Sequence, residues 1–87
     1  MSSEMTSERR EGARKGVEKL VYMANQIATF FRSQPADIAV DGVAEHIRSF
    51  WSPVMRRNAY AHLDAGGEGL DPLARQALEK LRSSDFP

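Results

Sequence analysis

The 87-residue chain has no cysteine, which excludes disulfides, iron–sulfur ligation and cysteine-type zinc sites. Histidine is nearly as scarce: His46 and His62 are the only two, and they form no H-x-x-x-H or related ligand pair. No nucleophile–base pair or metal set can be assembled from what is left, so a stand-alone enzyme is the weakest expectation. Neither sign of charge is in excess. Lys+Arg 12 balance Asp+Glu 12 at a formal net charge of +0, with a pI of ≈ 6.7; a nucleic-acid-binding domain usually carries a basic footprint. No apolar run approaches the roughly 20 residues of a membrane span, and Met1 to Arg10 lack the apolar segment of a secretory signal. These absences lead to an expectation of a soluble, cytoplasmic protein that binds neither membrane nor nucleic acid.

The length allows one domain. A core of this size rarely supplies more than ~3–5 kcal/mol by itself. With disulfides and cysteine-held metals excluded, a partner protein is the expected source of further stability.

Helical periodicity dominates what is present. Residues 1–16 are polar, without an apolar stripe, and are expected to form a mobile arm that lengthens the first helix by a turn. Residues 17–84 are expected to form a small all-α domain of four helices. In the first, Val17, Leu20, Val21, Ala24, Ile27, Ala28 and Phe31 recur at spacings of three and four. Met23 and Phe30 widen that face, and a stop is expected near Ser33 because Gln34 precedes Pro35. The second helix, with Asp37 or Asp41 as its cap, carries Val40, Val43, Ala44, Ile47, Phe50 and Trp51. Ser52-Pro53 is a start signal for a third helix reaching about Ala65. Its apolar positions, Val54, Met55, Ala59 and Leu63, are surrounded by Arg56, Arg57, Asn58, Tyr60 and His62, counted here as polar. Asp71-Pro72 opens the fourth, whose buried face is marked by Leu73, Ala74, Ala77, Leu78 and Leu81. No period-two alternation indicates a strand.

Between the last two helices lies Ala65-Gly66-Gly67-Glu68-Gly69-Leu70. One glycine would stop a helix; Gly66, Gly67 and Gly69 together indicate positive φ or a close approach by another molecule. A phosphate cradle is rejected, because the loop lacks the Walker lysine and the Gly-x-Gly-x-x-Gly spacing and Asp64, Glu68 and Asp71 would repel the ligand. An ordinary connection and a partner-contacting loop both remain open. His62 near Asp64 is read as a helix-end histidine that favours the dipole. Phe50 is read as core. Trp51 is divided between core and interface, since tryptophan, tyrosine and arginine are enriched at interface hot spots. Arg48, Arg56 and Arg57 form a local basic patch better suited to carboxylates of a protein partner than to nucleic acid.

Three segments, Met23-Ala24-Asn25-Gln26-Ile27, Val43 to Arg57, and Ala61 to Leu70, resemble the delta subunit of the soluble, molybdenum-containing, NAD-dependent formate dehydrogenase. The resemblance covers about residues 18–82 and leaves out the N-terminal arm. It implies a small non-catalytic bacterial subunit that assists assembly or stability of a cytoplasmic complex oxidising formate to carbon dioxide. In that complex the large (alpha) subunit is expected to hold the molybdenum bis-guanine-dinucleotide cofactor and iron–sulfur clusters. The beta and gamma subunits are expected to carry FMN, further clusters and the NAD site; no cofactor is expected in this chain.

The leading expectation is therefore an accessory subunit docking on the large subunit through Trp51, Arg56, Arg57, His62, Gly66, Gly67, Glu68, Gly69 and Leu70. A transient maturation chaperone of the same enzyme is the alternative. A helical nucleic-acid-binding module using Arg48, Arg56 and Arg57 stands behind both.

Overall fold

The last two helices begin where a side chain offers their first amides a partner. In the computed structural model, which describes the backbone of residues 2–86 and the side chains of residues 16–86, four helices follow one another. They are α1 (Ser2–Phe31), α2 (Ala36–Phe50), α3 (Pro53–Asp64) and α4 (Pro72–Asp85). No strand occurs among the described residues, so the fold is all-α as expected.

The two Ser/Asp-Pro signals act as read. Ser52 accepts from the Met55 amide at 3.2 Å at the start of α3, and Asp71 accepts from the Leu73 amide at 3.0 Å at the start of α4. In both, proline takes the first helical position, where a missing N–H costs nothing. The cap expected for α2 is different. Pro35 occupies the N-cap without a side-chain hydrogen bond, and its carbonyl accepts from the Ala39 amide at 2.8 Å. Asp37 lies in the first turn instead, where its charge favours the helix dipole. Helix α1 ends at Phe31, slightly before the expected stop, and extends N-terminally to Ser2, well past the single extra turn expected. The expected mobility of the arm concerns residues whose side chains fall outside the described ones.

Helices α1 and α4 each pack against all three others, while α2 and α3 barely touch. Alanine makes this possible: Ala24 and Ala28 of α1 and Ala74 and Ala77 of α4 are fully buried, and small side chains allow axes toward the near end of the usual 8–10 Å range. The larger core members are Val43, Ile47, Trp51, Tyr60, Leu63, Leu78 and Leu81. On α4, Ala74, Ala77, Leu78 and Leu81 are buried as expected, with Leu73 partly so. Gly42, within α2, has a packing reason: a Cβ there would lie 2.6 Å from the Phe31 ring. The glycine forms a notch for that ring where α1 meets α2.

Three expectations about burial are corrected. Phe50, assigned to the core, is 74% exposed, whereas Trp51 is 5% exposed. The buried row of α2 runs 39–43–47 and continues to Trp51 at i+4 steps; Phe50, three residues after Ile47, falls on the other flank. Phe30 does not widen the buried face of α1, being 79% exposed. Tyr60, counted among the polar residues of α3, is core.

Candidate functional site

Helix α3 ends in a Schellman arrangement. The Gly66 amide donates to the Leu63 carbonyl at 3.1 Å and the Gly67 amide to the His62 carbonyl at 2.9 Å. Gly66, Gly67 and Gly69 have φ of 119°, 65° and 87°, values that side-chain-bearing residues rarely adopt. All three glycines are therefore used for backbone geometry.

Side chains from three helices then hold the loop. Arg75 of α4 donates from Nη2 to the carbonyls of Gly66 at 2.7 Å and Gly67 at 3.2 Å. His62 of α3 lies with Nε2 2.8 Å from the Glu68 carbonyl; because a carbonyl only accepts, Nε2 carries the proton. Asn25 of α1 uses both ends of its amide, Nδ2 donating to the Gly69 carbonyl at 2.9 Å and Oδ1 accepting from the Asp71 amide at 2.8 Å. Asp71 in turn divides its carboxylate between the Leu73 amide and Arg32, whose Nη2 is 2.6 Å from Oδ1.

Each carbonyl from Gly66 to Gly69 thus has a partner within the chain, and the loop needs no second molecule to hold its shape. The close approach foreseen from its glycines is to its own helices. A Cβ on Gly67 would sit 2.9 Å from Arg75 Nη2, and one on Gly69 would sit 3.4 Å from Val21 Cγ1. Leu70 is half-buried against the core. Asp64 pairs with Arg82 and Asp71 with Arg32, leaving Glu68 exposed at the tip.

The basic patch is not a continuous field. Arg48 pairs with Glu45 at 3.1 Å. Arg56 turns inward, with Nε 3.5 Å from Asp85 Oδ2 and Nη1 donating to the Arg48 carbonyl at 3.4 Å. The Tyr60 hydroxyl donates to the same Asp85 oxygen at 2.5 Å. Burial first, and that hydrogen bond second, keep Tyr60 protonated well above the ordinary tyrosine range. Of the arginines expected to dock, only Arg57 is exposed; Arg56 belongs to the Tyr60–Asp85 cluster that ties α3 to the end of α4.

An apolar opening lies elsewhere, on the opposite flank of α1. Asn25 faces the loop, whereas Met23 and Ile27 line an open groove of ≈ 350 Å³. Tyr22 also comes from α1, Phe50 and Trp51 from the end of α2, and Met55 from α3, with Gln26 and His46 as the polar members. Tyr22 is 64% exposed, and the His46 ring is 4.7 Å from that of Phe50. Sequence reading missed this site because it credited Phe50 to the core. The available signal was Tyr22, a large aromatic lying off the 20–24–27–28 stripe.

Among the described residues no cluster of His, Cys, Asp and Glu could hold a metal ion. A sequence model of the NADH-dependent formate dehydrogenase delta subunit FdsD matches residues 19–78, a span containing Asn25, the groove and the whole glycine loop. Comparison with curated proteins and with solved structures gives no match.

Proposed function

Because this chain belongs to the family of formate dehydrogenase delta subunits, we propose that it is a non-catalytic accessory subunit that helps to assemble and stabilise the complex. The observation that carries this reading is an apolar groove lined by no lysine, arginine, aspartate or glutamate on a chain in which 28% of residues are charged. Exposed apolar surface of this kind is stabilised when a partner covers it.

The proposed partner is the large (alpha) subunit, and through it the beta and gamma subunits. The molybdenum bis-guanine-dinucleotide, iron–sulfur clusters, FMN and NAD are proposed to reside in those chains. A cysteine-free chain offers no thiolate for a cluster. The docking surface proposed here centres on the groove, with Phe50 as the exposed aromatic in place of the buried Trp51, and with Arg57 and Glu68 available for polar contacts. Arg56, His62, Gly66, Gly67, Gly69 and Leu70 contribute by holding the fold that presents it. The proposed location is the cytoplasm; no helix of the described residues is long and apolar enough to cross a membrane.

Stabilisation follows from mass action: a subunit that binds the assembled, folded form and not the unfolded one shifts both equilibria toward it. Expressing the large subunits with and without this chain tests the reading. Lower yield, cofactor content and thermal resistance of the complex are expected without it, and unchanged values of all three would refute it. Loss of the chain from active enzyme during gel filtration in salt would instead identify a maturation factor.

A further inference from the structure

We infer that Met23 and Met55 form a reversible oxidation site. A hydroperoxide converts both to sulfoxides in the folded chain, and the sulfoxides loosen the corner where α1 meets the end of α2 and the start of α3. The inference concerns the free chain and stands apart from the accessory-subunit reading.

Such a site has two requirements: the oxidant must reach the sulfur, and the product must disturb the fold. Met23 comes from α1 and Met55 from the first turn of α3, and both line one opening of ≈ 350 Å³. A water-sized molecule needs only about 10–15 Å³, so hydrogen peroxide enters without the helices parting. Both side chains are nevertheless half-buried, packed against the core cluster that includes Trp51. A fully exposed methionine would be oxidised without consequence, and a fully buried one only after unfolding. These two meet both requirements.

No thiol competes for the oxidant, since the chain has no cysteine. Trp51, beside the opening, is only 5% exposed. The other methionines, Met1 and Met5, lie outside the described side chains. In the reaction a sulfur lone pair attacks a peroxide oxygen. An S–O bond forms, the O–O bond breaks, and a proton moves to the departing hydroxide, which leaves as water. Sulfur is oxidised by two electrons and the peroxide is reduced by two. The flexible apolar thioether becomes a polar, chiral group. Its new oxygen meets apolar neighbours on the side that packed against the core, and burying a polar group without a partner is unfavourable. Epimer-specific reductases return methionine sulfoxide to the thioether, which makes the change reversible.

The test treats the full folded chain with hydrogen peroxide and follows each methionine by peptide mass spectrometry. Met23 and Met55 are expected to take up one oxygen each without urea. Tm is expected to fall by about 4–8 °C or more and to recover after treatment with both methionine sulfoxide reductases. The double variant Met23→Leu/Met55→Leu, close in volume to the parent, is expected to hold its Tm under the same peroxide treatment with Met1 and Met5 still present. If Met23 and Met55 react in urea but not in the folded chain, the inference is overturned; their oxidation with an unchanged Tm overturns it equally. A fall in Tm that the reductases do not reverse, or that the leucine variant shows in full, assigns the loss to another residue and also overturns it. Should the leucine variant fail to fold, hydrogen exchange of the parent, resolved by mass into unoxidised and oxidised species, decides the matter. Weaker protection in the species oxidised at Met23 and Met55 supports the site, and equal protection overturns it.

Discussion

Asn25 joins α1 to the glycine loop through two hydrogen bonds, to the Gly69 carbonyl and from the Asp71 amide. Replacing it with alanine removes both. A typical intramolecular hydrogen bond contributes about 0.5–1.5 kcal/mol net, so the gross loss is about 1–3 kcal/mol. The part-buried Asp71 amide accounts for more of it than the exposed Gly69 carbonyl, which water can satisfy. Alanine's better helix propensity restores up to about 0.7 kcal/mol, which leaves a net loss of roughly 0.3–2.3 kcal/mol if all of it is regained. For a domain of this size each kcal/mol lowers Tm by about 4–8 °C. Urea unfolding followed through Trp51, the only tryptophan and a buried one, measures the loss directly, with far-ultraviolet circular dichroism as the second probe. Asn25→Asp separates the two contacts. It keeps an acceptor for the Asp71 amide but sets a carboxylate oxygen against the Gly69 carbonyl. Asn25→Ala as stable as the parent would refute the bridge, and Asn25→Asp as stable as the parent would refute its donor half.

Other substitutions test the remaining assignments. Gly66→Ala is expected to cost about 1–3 kcal/mol through backbone strain alone, since nothing lies within 4 Å of its Cβ position; an unchanged urea midpoint would show that the positive φ is dispensable. Trp51→Ala should lose about 3–5 kcal/mol and leave the isolated domain largely unfolded by circular dichroism, whereas Phe50→Ala should stay within about 0.5 kcal/mol of the parent. The opposite order would reverse the burial assigned to this pair. Tyr60 gives a pH dependence with a definite sign. Its pKa is raised on folding, so above about pH 10 the unfolded chain releases a proton that the folded chain keeps. Stability should therefore fall as pH rises past that point, with a limiting slope of about 1.4 kcal/mol per unit. Tyr60→Phe should flatten the urea-midpoint profile between about pH 9 and 11 relative to the parent, and an unflattened profile would remove Tyr60 as its source.

Local chemistry made much of this fold legible. Ser52-Pro53 and Asp71-Pro72 could be read as helix starts because cap and proline stand side by side in sequence. The α4 face was equally plain, since one helix packs along one stripe. At Pro35, a preference for aspartate caps misled, because an extended proline can supply the first carbonyl without any side chain. The error at Phe50 has a geometric cause: the buried row follows i+4 steps from Val43 through Ile47 to Trp51, and Phe50, three residues after Ile47, falls beside it. The glycine loop shows both outcomes. Positive φ could be foreseen from composition, but its clamps, Asn25 and Arg75, belong to helices whose approach no local pattern records. The docking expectation consequently shifted from Trp51 and the loop to a groove that exists only after three elements meet.

The Asn25 bridge also governs the order in which the molecule can be completed. Its partners lie 44 and 46 residues away in sequence, whereas the amide-to-carbonyl bonds that end α3 span only a few residues. Closing a long loop must precede any gain from the distant contacts. A chain emerging from synthesis therefore forms the turn after α3 early and fixes its final path late, once α1 has returned to meet it. Burial of Trp51, reached through packing of the helices, and protection of the Asp71 amide then become two separate clocks for folding, the second recording when the glycine segment is pinned.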